Sequence, residues 1–159
     1  MAKRHPLLAA IEGELRGAHV SGVFDIMGHK YHLHSLSPQE ETWASEQVHG
    51  DSDYSAAVAI RAPVLAAALD AVDGVSVAEL FPFDQESESV RKVLSEDEAL
   101  AKAWRRTAVL GWLTSTDMHG SLLRELYAKY TELDRARQEA LIKLDPLARK
   151  TTTGESSDT

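Results

Sequence analysis

Apolar positions recur at helical spacing at the start of the chain. Leu7, Leu8, Ile11 and Leu15 follow Pro6, and Gly17 offers a stop, so the pattern predicts a short N-terminal helix. The period then shortens to two. Val20, Val23, Phe24 and Ile26 precede Met27-Gly28, and Tyr31 and Leu33 alternate with His32 and His34 beyond it, which predicts a β-hairpin turning at Gly28. Ser37-Pro38-Gln39-Glu40 reads as a helix start: Ser37 caps, Pro38 suits the first turn, and Glu40 completes a capping box. That helix carries Trp43, Ala44 and Val48 and meets His49-Gly50-Asp51. From Ser52 to Ala62 a helical pattern resumes through Tyr54, Val58 and Ile60, and Pro63 disturbs it.

From Val64 to Leu80 two readings compete. Alanine and leucine favour a helix. Asp73-Gly74, set between Leu69/Ala71 and Val75/Val77, favours a second hairpin, and we adopt it, although alanine suits a strand poorly. Phe81-Pro82-Phe83-Asp84 closes this block, and residues 85–98 are acidic. Ser95-Glu96-Asp97-Glu98 matches a second capping box, opening a helix with Leu100, Ala103, Trp104, Ala108, Val109 and Leu113 that breaks at Thr114-Ser115-Thr116-Asp117. A long helix is predicted over 118–144. Leu123, Leu126, Tyr130, Leu133, Arg137, Ala140 and Leu144 mark a heptad seam along it, with one charged defect at Arg137. Pro146 ends the pattern, and residues 151–159, without a large apolar side chain, read as a disordered tail. The expected class is α+β, mostly helical, with one or two small β-hairpins and a long C-terminal helix. The expected organisation is a helical arm at 1–19, a core domain at 20–145 and a tail at 146–159.

Composition narrows the function classes. The chain has 159 residues, 43% of them apolar and 26% charged, which suits one soluble domain with arms. Seventeen basic residues against twenty-five acidic give a net charge of −8. That argues against a nucleic-acid partner, which demands a basic stripe, and against a polybasic membrane patch. The most apolar window, residues 56–72, is interrupted by Arg61, Pro63 and Asp70 and reads as core rather than a bilayer span. No secretory signal is read at the N-terminus. The absence of cysteine excludes disulfides, thiolate metal sites and a cysteine nucleophile.

No catalytic motif stands out, and neither a catalytic residue nor a cofactor is assigned. His32 and His34 fall on one strand face, with His29 in the adjoining turn, and three imidazoles are in principle a zinc set. The plainer reading makes them the solvated face opposite Tyr31 and Leu33, and no metal site is assigned. Gly17 and Gly22 have phosphate-loop spacing, but Val23-Phe24 stands where lysine and a hydroxyl are needed. The carboxylate groups Asp51/Asp53, Glu86/Glu88 and Glu96/Asp97/Glu98 sit among serines and charges and read as solvated. Trp104 and Trp112 lie eight apart, and Tyr127 and Tyr130 three apart, as core aromatics or as partner anchors. Trp43 reads as core. The seam on the last helix packs either on the helix of residues 96–113 or on another chain, and a charge such as Arg137 in a seam is a device for partner choice. The partner-binding candidates are therefore Trp104, Trp112, Leu123, Leu126, Tyr127, Tyr130, Leu133 and Arg137.

The order of these parts resembles a known pattern. Gly28, Tyr31, Leu33 and Leu36 in the hairpin lead into Ser37-Pro38-Gln39-Glu40. Asp73-Gly74-Val75-Ser76-Val77 forms a second turn, and Trp112, Leu122, Leu126-Tyr127, Tyr130 and Leu133 lie on the closing helix. Over residues 22–144 this resembles the small tail-assembly and baseplate-hub assembly chaperones of tailed bacteriophages, departing from them at Ala71-Val72 and in its extra N-terminal helix. The resemblance implies a non-catalytic assembly factor in the host cytoplasm. Its partner would be a tape-measure, hub or baseplate component held soluble until assembly, and an oligomer is compatible with it. The alternatives are a structural component of the virion tail or baseplate and, from another class, a small metalloenzyme using His29, His32 and His34.

Overall fold

The computed structural model describes residues 5–17, 20–48, 58–115 and 120–144. The expected helix start at Ser52, the break at Thr116-Asp117 and the tail from Pro146 lie outside the described residues.

The first helix, α1 (Pro6–Gly17), forms where the periodicity places it. Strands β1 (Ser21–Ile26) and β2 (His29–His34) pair antiparallel as the first hairpin. Both turn residues have positive φ, Met27 at 52° and Gly28 at 85°, the conformation of a two-residue type I′ turn. Methionine is a poor choice there, since its Cβ crowds the following carbonyl. Met27→Asn should therefore stabilise the chain by about 0.5–1 kcal/mol, read as a shift in denaturant midpoint. At the open end, Ser35 is fully buried yet satisfied: its N–H donates to the Val20 carbonyl at 2.8 Å, and its Oγ accepts from the Val20 N–H at 3.0 Å.

Helix α2 (Pro38–Glu46) begins at the expected capping box. Ser37 Oγ accepts from the Glu40 N–H at 3.2 Å, and Glu40 Oε1 accepts from the Ser37 N–H at 2.9 Å.

The two readings of residues 64–80 divide the segment between them. The alanines are helical in α3 (Arg61–Ala68), and the hairpin begins only at β3 (Leu69–Val72), paired with β4 (Val75–Ser76). Pro63 falls in the first turn of α3, where its missing N–H costs nothing. Ala62 through Ala68 are all buried. A helix apolar on every side belongs in the middle of a core, and small alanine side chains let neighbours approach. Helices α2, α6 (Glu98–Thr114) and α7 (Gly120–Leu144) all pack against α3. Asp73 and Gly74 turn the second hairpin with φ of 52° and 79°. Val77, expected in its second arm, instead opens the one-turn helix α4 (Val77–Leu80), capped by Ser76.

The sheet order is β1-β2-β3-β4, all antiparallel. Between β2 and β3 the register slips: His32 opposes Ala71 but Leu33 opposes Leu69, leaving Asp70 as an extra, bulged residue.

The second expected capping box is not used. Ser95 and Glu96 end a helix that periodicity did not predict, α5 (Glu88–Glu96), which is capped by Ser87. Asp97 alone caps α6, with Oδ1 accepting from the N–H groups of Ala99 and Leu100. The amphipathic face of α5 is short, and one residue of it, Leu94, is buried.

The fold is thus α+β and mostly helical, with two hairpins and a long C-terminal helix. The seam of α7 turns inward. It packs on α3 and the first hairpin rather than on the helix of residues 96–113. Leu126, Tyr130 and Leu133 are its buried members, while Leu123 is half-buried and Leu144 exposed; Leu122, outside the seam, is buried in place of Leu123.

Candidate functional site

The bulge at Asp70, the last residue of β2 and the first turn of α2 meet at one point. His34 lies there, with Nδ1 2.9 Å from Asp70 Oδ1 and Nε2 2.8 Å from Glu40 Oε2. Register explains the meeting. The extra residue in β3 re-aims the Asp70 carboxylate, and the capping box fixes the Glu40 backbone while leaving Oε2 to point at the ring. The Arg106 guanidinium approaches the same Oε2 at 3.6 Å and lies over the Trp43 ring, 5.8 Å from its centroid.

The electrostatics follow from that geometry. Burial alone would push the imidazole pKa down. Hydrogen bonds to Asp70 and Glu40 outweigh burial and raise it to about 9, so the ring is cationic at neutral pH. Burial would likewise raise Glu40, yet hydrogen bonds from His34 and from the Ser37 backbone bring it down to about 2. Both ring nitrogens of His34 are engaged, so neither has a lone pair to offer a metal or a substrate proton. The other two histidines go elsewhere. His29 Nδ1 pairs with Asp73 Oδ2, and Asp73 Oδ1 accepts from the Lys30 N–H at 2.7 Å, which ties the two hairpin turns together. His32 faces Ala71 across the ladder. Among the described residues no group of three potential ligands converges on one point.

The cluster forms one wall of an open cleft of about 510 Å³ between α3 and α6. Ser37, Gln39, Ala66 and Ala67 line it, together with Lys102, Arg105 and Arg106. A second concavity, about 380 Å³, is apolar: Tyr31, Leu69, Val72, Leu80, Phe81 and Trp112 line it, with His29 among them. Phe81 and Trp112 meet edge to face there, with centroids 6.2 Å apart.

The partner-binding candidates scatter. Leu126, Tyr130 and Leu133 are buried in the chain's own core, which corrects their assignment to a free seam. Burial pushes the Tyr130 hydroxyl pKa upward. Leu123 and Tyr127 are half-buried against that core, with the Arg61 guanidinium 5.6 Å from the Tyr127 ring centroid. Arg137, read as a defect that selects a partner, donates to Glu41 Oε1 at 2.9 Å and so clamps α7 to α2. Trp104 packs edge-on to Phe83 and donates from Nε1 to Glu86 Oε1 at 3.3 Å, closing the 81–87 loop over α6. Trp112 lines the apolar groove. Sequence reasoning had no reason to join Glu40, Asp70 and Arg106 to His34. The capping box was the only legible signal that Glu40 had a fixed position.

A different apolar surface is uncovered. On α1, Leu7, Leu8 and Ile11 are 61%, 53% and 43% exposed. Their spacing puts all three on one helix face. Among the described residues no helix is long and apolar enough to cross a membrane. No family model, no curated protein and no solved structure matches this chain.

Proposed function

We propose that this chain is a non-catalytic assembly protein of the phage tail or baseplate, acting by contact with a helical segment of a tape-measure, hub or baseplate component. The observation that carries the reading is α1. A helix of twelve residues is marginal in water without a cover, and this one keeps Leu7, Leu8 and Ile11 exposed. A second amphipathic helix laid along that face would bury them, in the manner of helix-in-groove recognition. The apolar groove at Trp112 and Leu80 offers further contact area on the same molecule. A net charge of −8 favours keeping such a complex soluble. The engagement of both His34 nitrogens weighs against a histidine-based metalloenzyme.

The test is mass spectrometry of proteins that co-purify with the full chain from phage-producing cells, run beside analysis of assembled particles. The expected result is a long helical tail or hub protein that is retained by the wild type and lost with Leu8→Glu plus Ile11→Glu. Those positions are exposed, so the variant should keep its circular dichroism. Retention by the variant would overturn the role of α1. Particles containing the chain in fixed copy number would replace the chaperone reading with a structural virion component.

A further inference from the structure

We propose that the cleft between α3 and α6 is an oxyanion site that takes a phosphate group. Lys102, Arg105 and Arg106 follow one another at steps of three and one along α6, so all three lie on the face that lines the cleft. The opposite wall is Ala66 and Ala67, whose small side chains leave the space in front of these cations open.

The cations are incompletely matched by the protein. Lys102 Nζ lies 3.9 Å from Glu98 Oε1 and Arg106 Nη2 3.6 Å from Glu40 Oε2, both beyond hydrogen-bond length. Arg105 has no carboxylate partner among the described residues. Its guanidinium stacks on Phe83 at 5.3 Å, and its Nε is buried with no hydrogen bond. With His34 held as a cation between Asp70 and Glu40, four positive groups stand against three carboxylates, Glu40, Asp70 and Glu98, around the cleft. A phosphate monoester carries roughly −1.5 to −2 at neutral pH on three acceptor oxygens, so it can bridge several of these cations at once, which one carboxylate cannot. Adjacent guanidinium forks also suit a tetrahedral oxyanion, and an ammonium adds a point charge beside them. The site is separate from the α1 surface and does not depend on the assembly reading.

Inorganic phosphate titrated into the full chain at constant ionic strength, followed by amide chemical shifts and by the thermal midpoint, tests the proposal. Saturable shifts on α6 and a rising midpoint are expected. Lys102→Gln, at an exposed position that folding does not need, should weaken binding about tenfold. Lys129→Gln, a cation on α7 paired with Glu132 away from the cleft, should leave it unchanged. Arg105→Gln should abolish binding, with Lys102→Gln as the reading that survives if Arg105→Gln fails to fold. Succinate serves as the dicarboxylate control. Equal binding of succinate, no saturation by phosphate, or an unchanged affinity in Lys102→Gln would each overturn the proposal. A phosphoserine peptide that binds more tightly than free phosphate would assign the source to a modified protein, and the reverse order to a small molecule.

Discussion

Leu126→Asp should unfold the chain. Leu126 is 1% exposed and sits where α7 meets α3 and the first hairpin, in contact with the core that contains Leu33, Leu65 and Val109. A carboxylate placed there is cut off from water among apolar side chains, and a buried charge without a partner costs several kcal/mol at least. That is a large part of the 5–15 kcal/mol by which a domain is ordinarily stable. Leu126→Ala should cost about 2–5 kcal/mol through lost burial and the cavity left behind. Leu144→Asp is the control. It occupies the same seam eighteen residues on, but it is 43% exposed, and its effect should stay within about 0.5 kcal/mol. Circular dichroism and thermal unfolding read all three. A folded, cooperative Leu126→Asp would mean that the seam is free for a partner after all.

Removing His34 should be the second largest loss, and its pH dependence should identify the cause. The His34 pKa is raised in the folded chain, so its contribution is complete below about pH 6.5 and fades as pH rises through about 9. The Glu40 pKa is lowered, so its contribution is complete above about pH 4.5 and fades as pH falls through about 2. The wild type should therefore be most stable between about pH 4.5 and 6.5 and lose stability on both sides. His34→Gln keeps hydrogen-bonding capacity but not charge, and leaves Glu40 and Asp70 facing each other without the cation between them. At the pH of greatest stability we expect a loss of about 2 kcal/mol, discounted from the full pKa shift because the His34 side chain is 26% exposed. The loss should shrink at alkaline pH, where the wild-type ring is neutral. A variant whose midpoint falls equally at every pH would show that His34 matters for packing and not for charge. Glu40→Gln should flatten the acid limb of the wild-type profile, to which Asp73 still contributes, and leave Arg137–Glu41 untouched.

Local signals carried much of the architecture. The Ser37 capping box, the two-residue turns at Gly28 and Gly74 and the alternation at Tyr31 and Leu33 act within a few residues. Each appears in the structure where the sequence places it. In two places the chain offered two solutions, and the structure used one or divided the segment between them. Ser95 and Asp97 can both cap a helix. Asp97 prevails because a separate helix, α5, occupies Ser95 and Glu96 and packs on α6. Residues 64–80 satisfied helix propensity and turn chemistry at once, because the segment contains one of each in succession.

The candidate site was far less legible. His34, Asp70 and Glu40 are brought together by a register slip of one residue, and no periodicity encodes a bulge. His34 read in isolation looked like a solvated strand position. Its partners come from a bulged strand 36 residues away and from a helix cap six residues away. Lys102, Arg105 and Arg106 were present as an ordinary charged helix face, and only the packing of α3 against α6 turns that face into the wall of a cleft.

What the sequence determined by itself was most of the elements, the Ser37 cap and the two hairpin turns, and the exclusion of thiol chemistry, because these rest on interactions between neighbours and on composition. Tertiary structure alone decided which side of each element is inward. The α7 seam is equally apolar whether it meets a partner or its own chain. The choice fell to the alanine-rich α3, which presents a buried surface small enough for α7, α6 and α2 to close around it. The same closure left the apolar face of α1 uncovered and gathered three cations at one cleft. Periodicity could specify neither outcome, because it describes one element at a time while burial is a property of pairs.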